Sequence, residues 1–323
     1  MVLTITDKHD IHADRILNLL NKDDVYRLDL DTNSLKETSI TYDGVNWIIE
    51  TINEGRICSS SISSVYLRRP FVELTLQEQD NTDYNFKIWR GEWNKTLIGF
   101  YNYIRHVPWL NRLREAYRAE NKYYQMEIAK QAGLHIPPIL VSNNKAKLIE
   151  FVSRHTDVVL KLMNQEFYKH PDGAYKGIYV NKLSVSDFED FGSTDENPIV
   201  LQPYVVKKFE VRYTVVGQDH FVCAIDSQKS KIANVDWRRY DIPNTPHFRI
   251  DPPQEIKKCV DNFMKLLELE FGALDFIVTH QDRWIFLEVN PMGQWLWLED
   301  LTGLPISQAI ANWLKQHSNI RRQ

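Results

Sequence analysis

The sequence predicts an α+β protein, in which stretches of strand and helix alternate along 323 residues. Near the C-terminus, the apolar stretches 272–279 and 284–290 flank the polar run 280–283, a pattern typical of a β-hairpin. At 93–106 and 253–267, the spacing of apolar residues predicts helices. Because both periodicities occur in one chain, we expect a fold that combines sheets with helices.

The other elements follow from the same two patterns. Strands are predicted at 2–5, 24–30, 64–70, 136–144, 157–163, 198–206 and 210–216. Helices are predicted at 14–21, 112–132, 145–155 and 307–315. Pro70 ends the strand before it, and Gly133 is expected to end the helix over 112–132.

Composition and charge exclude several classes of protein. The net charge of −4 gives no sign of a nucleic-acid-binding protein, so we expect no nucleic-acid partner. The cysteines Cys58, Cys223 and Cys259 lack CxxC spacing, which argues against a disulfide framework or a zinc ribbon and fits a reducing compartment. The first residues lack a secretion signal, and no apolar run is long enough to span a bilayer. We therefore expect a cytoplasmic protein without a membrane partner.

The C-terminal hairpin carries the most informative residues. Glu288 and Asn290 are two positions apart on one strand, so their side chains project from the same face, and Asp275 on the partner strand can join them. Isolated carboxylates in apolar strands are costly unless they are paired or bind metal. This set offers only oxygen ligands and suits a magnesium ion that carries nucleotide phosphates. The alternative is structural: Asn290 caps the turn before Pro291, and Glu288 pairs with an arginine.

Three cations are candidates for binding phosphate. Lys161 lies in an apolar strand, where it needs an anionic partner or a polar cavity, whereas Lys122 lies on a predicted helix. Arg212 lies in a strand, and its planar guanidinium suits phosphate oxygens. Each also has a plainer interpretation: an edge lysine for Lys161, a solvated side chain for Lys122 and a cross-strand ion pair for Arg212. The sequence has no Walker A, GxGxxG or HExxH pattern.

Several segments also match a known family. They include Ser-Ser-Val-Tyr-Leu-Arg-Arg-Pro at 63–70, Ala-Glu-Asn-Lys-Tyr-Tyr-Gln at 119–125, Leu-Gln-Pro-Tyr-Val at 201–205 and Asp-Trp-Arg at 236–238. The most specific is Phe-Leu-Glu-Val-Asn-Pro-Met-Gly-Gln-Trp-Leu-Trp at 286–297. Together they resemble the ATP-grasp fold, and more narrowly the ATP-grasp ligases that macrocyclise ribosomal peptides of the microviridin or graspetide type. The resemblance implies an N-terminal α/β lobe (1–115), a central subdomain (116–190) and a C-terminal subdomain (191–323), which enclose the nucleotide.

The resemblance implies a nucleotide site built from five residues. Lys122 and Lys161 would contact the phosphates of ATP, with Lys161 also near the adenine. The adenine would be bound by the backbone edge of Gln202, Tyr204 and Val205.

It also implies the residues that carry the chemistry. Asp275, Glu288 and Asn290 would hold one or two Mg2+ ions. Arg212 would stabilise an acyl phosphate, and Arg238 would either assist it or orient the acceptor carboxylate.

The activity implied by the resemblance is ATP-dependent ligation. The enzyme would activate an Asp or Glu side-chain carboxylate of a ribosomal precursor peptide as an acyl phosphate. A Ser, Thr or Lys side chain of the same peptide would then displace phosphate and close an ω-ester or ω-amide macrocycle. Two other functions stay open: an ATP-grasp ligase that joins a free amino acid or small acid to a protein or metabolite, and a catalytically inactive module that binds nucleotide and peptide.

The family further implies how the peptide partner binds. The precursor would dock through a leader helix away from the catalytic cleft, and Glu189 and Asp190 are the candidate residues that pair with a leader arginine. A solvated acidic loop is the alternative for these two residues. The family also implies a homodimer.

Overall fold

The computed structural model describes residues 1–161, 163, 168–169, 175–176, 181–188, 197–230 and 242–319. Three predicted site residues, Glu189, Asp190 and Arg238, lie outside this part of the chain. Within it, helices combine with both parallel and antiparallel sheets, so the predicted α+β class is confirmed. No helix among the described residues is long and apolar enough to cross a membrane.

The N-terminal region builds two sheets. In chain order its elements are β1 (Val2–Thr6), α1 (Ile11–Leu17), β2 (Val25–Asp29), α2 (Thr32–Lys36), β3 (Ser39–Tyr42), β4 (Trp47–Thr51), β5 (Gly55–Cys58), β6 (Ser64–Leu67), α3 (Leu76–Gln79), α4 (Tyr84–Tyr103) and β7 (Trp109–Leu110). β1 pairs in parallel with β2 and β6, and β7 extends this sheet beside β6. All of β1 is buried, as expected for a central parallel strand covered on both faces. β3, β4 and β5 form an antiparallel sheet that the sequence patterns do not predict.

Two helices begin earlier than the apolar patterns indicate because a side chain caps the backbone. The carboxylate of Asp10 accepts a hydrogen bond from the amide of His12, so α1 begins at Ile11. Asp83 caps α4 in the same way, and the helix therefore includes an aromatic first turn whose residues are mostly exposed. A capping side chain supplies an acceptor for the backbone amides of the first turn, which an apolar stripe alone does not provide.

The helix predicted over 112–132 is in fact two helices, α5 (Leu113–Ala119) and α6 (Lys122–Gln131). Asn121 leaves the helical conformation, and its side chain accepts hydrogen bonds from two backbone amides in the first turn of α6. Asn is a strong capping residue because its amide oxygen satisfies donors that a helix start leaves unpaired. The break makes Lys122 the first residue of α6.

A small antiparallel sheet follows. Its region contains β8 (Leu140–Ser142), α7 (Lys145–Arg154), β9 (Val158–Lys161), β10 (Tyr168–Lys169), β11 (Tyr175–Lys176), β12 (Asn181–Leu183) and β13 (Ile199–Pro203). The sheet has the order β12-β9-β13-β8, and α7 covers it by burying Leu148 and Val152 against Val158 and Leu201. β13 lies after the predicted boundary at residue 190, but it pairs with β8 and β9, which lie before that boundary. The division into three units therefore stays a prediction.

The largest sheet lies in the C-terminal region. The elements here are β14 (Phe209–Val216), β15 (Asp219–Ile225), β16 (His247–Arg249), α8 (Gln254–Leu267), β17 (Phe271–Val278), β18 (Trp284–Asn290), α9 (Leu296–Thr302) and α10 (Ile306–Asn319). The strands are antiparallel in the order β16-β15-β14-β17-β18, and the predicted hairpin is β17 and β18. Helices α6 and α8 bury apolar residues against one face of this sheet. The polar side chains of β14, β17 and β18 are therefore left for the other face.

Helix α10 joins the C-terminal region to the N-terminal parallel sheet. One buried cluster combines Val2, Ile16 and Tyr66 from the N-terminal region with Trp295 and Ile310 from the C-terminal region. The hydroxyl of Ser64 also donates to the carbonyl of Leu314 in α10, at 3.2 Å. The two regions therefore share a hydrophobic core.

Candidate active site

Three neighbouring strands place the predicted acid residues on one face of the large sheet. Arg212 on β14 is the cross-strand partner of Asp275 on β17, and Asp275 is the partner of Glu288 on β18. Asn290 lies two residues after Glu288 and therefore on the same face. The register shifts immediately after Asp275, where Leu287 becomes an extra residue in β18. Such bulges redirect side chains and are common beside active sites.

Two ion pairs connect the carboxylates to cations. The Arg212 Nε lies 3.1 Å from the Asp275 Oδ1, and each side chain is 10% exposed. The Lys122 Nζ lies 2.7 Å from the Glu288 Oε2, with side-chain exposures of 17% and 23%. We call these four residues the charged quartet. Two positive and two negative groups balance each other, as buried charges require, and Lys122 is not the solvated side chain of the plainer interpretation.

Asn290 connects the quartet to the turn that follows β18. Its side-chain Oδ1 accepts a hydrogen bond of 3.2 Å from the amide of Met292. A Cβ placed on Gly293 would lie 2.8 Å from the Cβ of Ala273, so the turn folds back against β17 in a space that only glycine fits. The structural alternative for Asn290 is therefore present in the fold, while its side chain remains exposed on the face of the quartet.

The donor set of this face fits magnesium. Among the described residues no group of three or more His, Cys, Asp or Glu side chains could hold a metal ion alone. Magnesium, however, is commonly held by one or two carboxylates together with substrate phosphates and water. Asp275 and Glu288 are two such carboxylates on adjacent strands, and Asn290 adds a neutral oxygen. These three residues thus fit an ion that arrives with a phosphorylated substrate.

Apart from Lys122, the predicted nucleotide residues lie in or directly after strands of the small antiparallel sheet. Lys161 ends β9, and the paired register places Gln202 of β13 opposite Val159 of the same strand. Gln202 is buried, whereas Tyr204 and Val205 are half-buried just after the strand. The amide of Tyr204 donates to the carbonyl of Asp157 at 2.9 Å, and the Lys182 Nζ lies 4.1 Å from the centroid of the Tyr204 ring. Lys161 and Gln202 therefore lie on adjacent strands, and Tyr204 and Val205 directly follow the strand of Gln202; we call residues 202–205 the hinge.

Arg212 is positioned from two sides. Asp275 engages its Nε, and its guanidinium carbon lies 6.0 Å from the ring centroid of Trp297 in α9. His247 on β16 makes an edge contact with the same ring, at 5.6 Å between ring centroids. Cation–π and ion-pair contacts together fix the plane of the guanidinium. Trp297 is the last aromatic residue of the family-like segment 286–297, and its contact with Arg212 gives that segment a physical role.

Gln125 holds the edge strand β18 from α6. Its Nε2 donates to the carbonyl of Val289 at 2.8 Å and to the carbonyl of Ala119 at 2.6 Å. In return, the amide of Val289 donates to the Gln125 Oε1 at 2.9 Å. Val289 lies between Glu288 and Asn290, so the Gln125 side chain takes the place of a neighbouring strand at the edge that carries these candidate metal ligands. The sequence patterns do not identify Gln125, because it looks like an ordinary helix residue.

Lys207 and Glu210 form a further ion pair, outside the quartet, that the sequence patterns do not predict. The Lys207 Nζ lies 2.6 Å from the Glu210 Oε1, and their side chains are 1% and 7% exposed. Glu210 lies two residues before Arg212 on the same strand and face. The sequence feature that could have revealed this pair is the three-residue spacing of the opposite charges of Lys207 and Glu210, which follow closely on the predicted adenine-binding residues 202–205.

Arg68 ties the turn after β18 to the N-terminal sheet. Its Nη1 donates to the carbonyls of Met292 at 2.9 Å and Gly293 at 3.2 Å. Its Nε lies 3.1 Å from the Asp10 Oδ2, and both side chains are buried. Burial alone would raise the pKa of Asp10, but the Arg68 guanidinium and the Thr6 hydroxyl outweigh it and lower this pKa. The residue occurs in the family-like segment 63–70, although nothing in the sequence reveals its partners.

A small antiparallel sheet with a lysine and a hinge strand, followed by a larger antiparallel sheet with paired carboxylates and cations, defines an ATP-grasp ligase. Solved structures extend this assignment over almost the whole chain. A RiPP-associated ATP-grasp ligase of Chryseobacterium gregarium is 30% identical, with a TM-score of 0.86 and coverage of 98% of this chain and 96% of that chain. RiPPs are ribosomally synthesised and post-translationally modified peptides. No protein-family model and no curated protein sequence matches the chain.

Two macrocyclases of Microcystis aeruginosa MRC are similar as well. MdnB is 31% identical with a TM-score of 0.77, and the match covers 97% of this chain and 98% of that chain. MdnC is 25% identical with a TM-score of 0.83, and the match covers 98% of this chain and 100% of that chain. The chain belongs to the family of RiPP-associated ATP-grasp ligases.

Proposed function

We propose that the protein activates Asp or Glu side-chain carboxylates of a ribosomal precursor peptide with ATP and closes ω-ester or ω-amide macrocycles. The observation that carries the proposal is the charged quartet, in which the adjacent carboxylates Asp275 and Glu288 on one sheet face are each paired with a cation, Arg212 of β14 and Lys122 of α6. The similar structures support a peptide substrate, because the Chryseobacterium gregarium ligase is in complex with ADP and a leader and core peptide, and MdnC is bound with the precursor peptide MdnA.

Asp275, Glu288 and Asn290 would hold Mg2+ when ATP binds. The bound ion supplies positive charge to the phosphate oxygens. Glu288 pairs with Lys122 in this structure, and the pair neutralises both charges. Since Lys122 is the direct neighbour of a proposed metal ligand, its ammonium group would contact the phosphates that share the ion.

Lys161 and the hinge would orient the nucleotide. Lys161 ends β9 and would contact phosphate oxygens, near the adenine. The purine edge would bind the backbone at Gln202, Tyr204 and Val205, where the amide of Tyr204 itself donates to the carbonyl of Asp157. Binding the base at fixed backbone groups places the γ-phosphate at one position relative to the quartet.

Arg212 would act on the acyl phosphate, with Arg238 as its proposed assistant. A carboxylate oxygen of the substrate forms a bond to the γ-phosphorus, and the bond from that phosphorus to ADP breaks. A hydroxyl or amine of the same peptide then attacks the acyl carbon, loses its proton and displaces inorganic phosphate. The fixed guanidinium of Arg212 stabilises negative charge on the acyl phosphate oxygens.

The peptide partner would bind through a leader helix. Glu189 and Asp190 are the proposed docking residues, since their charge complements a leader arginine. We extend the proposal to a homodimer that works in the cytoplasm, and to three structural units with boundaries near residues 115 and 190.

Mass spectrometry tests the proposal. The protein is incubated with ATP, Mg2+ and the precursor peptide encoded beside its gene, and ADP formation is followed in parallel. We expect successive losses of one water from the peptide, because each ring releases one water overall. Glu288→Gln should abolish them, whereas the matched substitution Glu255→Gln, at an exposed position of α8, should not.

The other outcomes separate the alternatives. An ATP-dependent gain in mass on a free acid or amine, without water loss, would identify a ligase for small substrates. Nucleotide and peptide binding without ADP formation would identify an inactive binding module.

A further inference from the structure

A groove of about 620 Å3 lies in the N-terminal region, apart from the charged quartet. It is formed by the segment after β6, the C-terminal half of α4, strand β7 and helix α5. Its apolar lining includes Phe71, Ile98 and Tyr117. Its charged lining includes Arg105, Arg112 and Arg114. We call it the arginine-rimmed groove.

The apolar part of the groove is exposed to solvent although it is aromatic. Tyr117 is 62% exposed, and its ring lies 6.5 Å from that of Phe71 in an edge-to-face contact. Beneath them, Tyr101 and Trp109 are buried and pack edge to face at 5.7 Å. Exposed aromatic side chains on a rigid base are typical of ligand and peptide sites, because covering them removes apolar area from water.

The rim gives the groove a positive charge. Arg114 engages the buried Glu115, with its Nη2 2.7 Å from the Glu115 Oε1. Three arginines and this one glutamate leave two net positive charges in a protein whose overall net charge is −4. Arg112 is exposed and forms no ion pair with any residue that the structure describes. An anionic ligand would therefore be attracted to this groove.

The groove lies within reach of the quartet. Helix α5 leads from it toward Lys122, and its seven residues span about 10 Å at 1.5 Å per residue. On the opposite wall, Phe71 lies three residues after Arg68, which holds the turn after β18. With the short link to Lys122 included, groove and quartet lie within about 20 Å, which an extended peptide covers with about six residues.

We propose that the arginine-rimmed groove binds an acidic segment of the precursor peptide, with one apolar side chain on the aromatic base and a carboxylate on the rim. This groove would be a second docking site, in addition to the site expected for the leader helix, and its assignment rests on the proposed function. A substrate whose rings form from Asp or Glu side chains carries the charge that complements Arg105 and Arg112. Docking one part of the core peptide while another reacts raises the local concentration of the reacting carboxylate.

Binding of a leaderless precursor peptide tests the groove separately from catalysis. A fluorescent core peptide is titrated with wild-type protein and with Arg105→Gln/Arg112→Gln, both exposed positions. We expect the variant to bind the core peptide about fivefold more weakly than wild type. This difference in affinity should disappear at high salt, because salt screens exposed charges. Arg56→Gln/Lys87→Gln removes two exposed positive charges elsewhere and should bind like wild type.

A second readout is the KM for the full precursor, which should rise in the arginine variant while the KM for ATP stays unchanged. Equal binding of the core peptide by wild type and variant would overturn the groove proposal, whether or not rings form. A raised KM for ATP would also overturn it, because the arginines would then belong to the nucleotide site. If no water loss occurs but binding still depends on the arginines, the proposed function fails and the peptide groove stands.

Discussion

Replacing Gln125 by leucine tests whether a helix side chain maintains the sheet edge that carries the proposed metal ligands Glu288 and Asn290. β18 is an edge strand, so the outward amide and carbonyl of Val289 have no neighbouring strand to pair with. Gln125 satisfies both of these groups and the carbonyl of Ala119. Leucine is similar in size but offers no polar atom, so three buried backbone groups would lose their partner.

The magnitude follows from these three bonds. A buried backbone group left without a partner costs about 1–3 kcal/mol, and partial relaxation reduces the sum. We expect Gln125→Leu to lower the free energy of unfolding by about 3 kcal/mol. The flanking Glu288 and Asn290 would also shift, and a displacement on the order of 1 Å at a reacting site costs up to about a hundredfold in rate. The Mg2+ concentration for half-maximal activity should therefore rise by about tenfold.

Urea unfolding and a magnesium titration of ADP formation measure the two effects. Gln131→Leu is the matched control, because it makes the same change at an exposed position of the same helix and should cost no more than about 0.5 kcal/mol. If Gln125→Leu is as stable as the control, the hydrogen bonds do not hold the strand. If it is destabilised but its magnesium dependence is that of wild type, the bonds stabilise the fold without positioning the site.

Three further predictions concern the turn after β18 and its supports. Arg68→Met should lower the free energy of unfolding by about 3 kcal/mol in urea, since it leaves the buried Asp10 without its cation, and adding Asp10→Asn should recover part of the loss. Burial and the neighbouring Arg68 lower the pKa of His12 from 6.5 to about 4, so its neutral form is retained in the folded protein. The unfolded chain takes up a proton below pH 6.5, and stability should therefore fall between pH 6.5 and 4; urea unfolding of His12→Gln should show a flatter pH dependence. Gly293→Ala should weaken the response to Mg2+ in the ADP assay, because its Cβ would meet Ala273 at 2.8 Å, and a wild-type response would show that the turn can shift freely.

The sequence predicts local features of the site better than its long-range contacts. The hairpin and the common face of Glu288 and Asn290 follow from alternation, which is set by neighbouring residues. Lys122 looks like a solvated residue, because its partner Glu288 comes from a distant strand. Gln125 is equally inconspicuous, since the carbonyl it binds is 164 residues away. Residue types indicate what can bind, whereas these pairings depend on how the sheets and helices pack.

The errors in secondary structure have a related cause. Asn121 interrupts the apolar pattern of 112–132 because its side chain accepts two local hydrogen bonds from backbone amides. These bonds outweigh the tendency of the surrounding residues to continue one helix. The short strands β3, β4 and β5 bury only Ile49 and Ile57 fully, so their alternation is too weak to identify from the sequence. Neither error changes the residues assigned to the site. The break at Asn121 is nevertheless what places Lys122 at the start of α6.

The core that α10 shares with the N-terminal sheet constrains how the protein is made. On the ribosome, the first sheet emerges with one apolar surface that, in the described part of the chain, is covered by α10 and neighbouring C-terminal residues. That surface stays exposed until every strand of the large sheet has been synthesised, so the N-terminal region cannot complete its folding early. Synthesis therefore passes through a long interval in which aggregation competes with folding, and a nascent chain stalled before α10 should be a preferred client of chaperones.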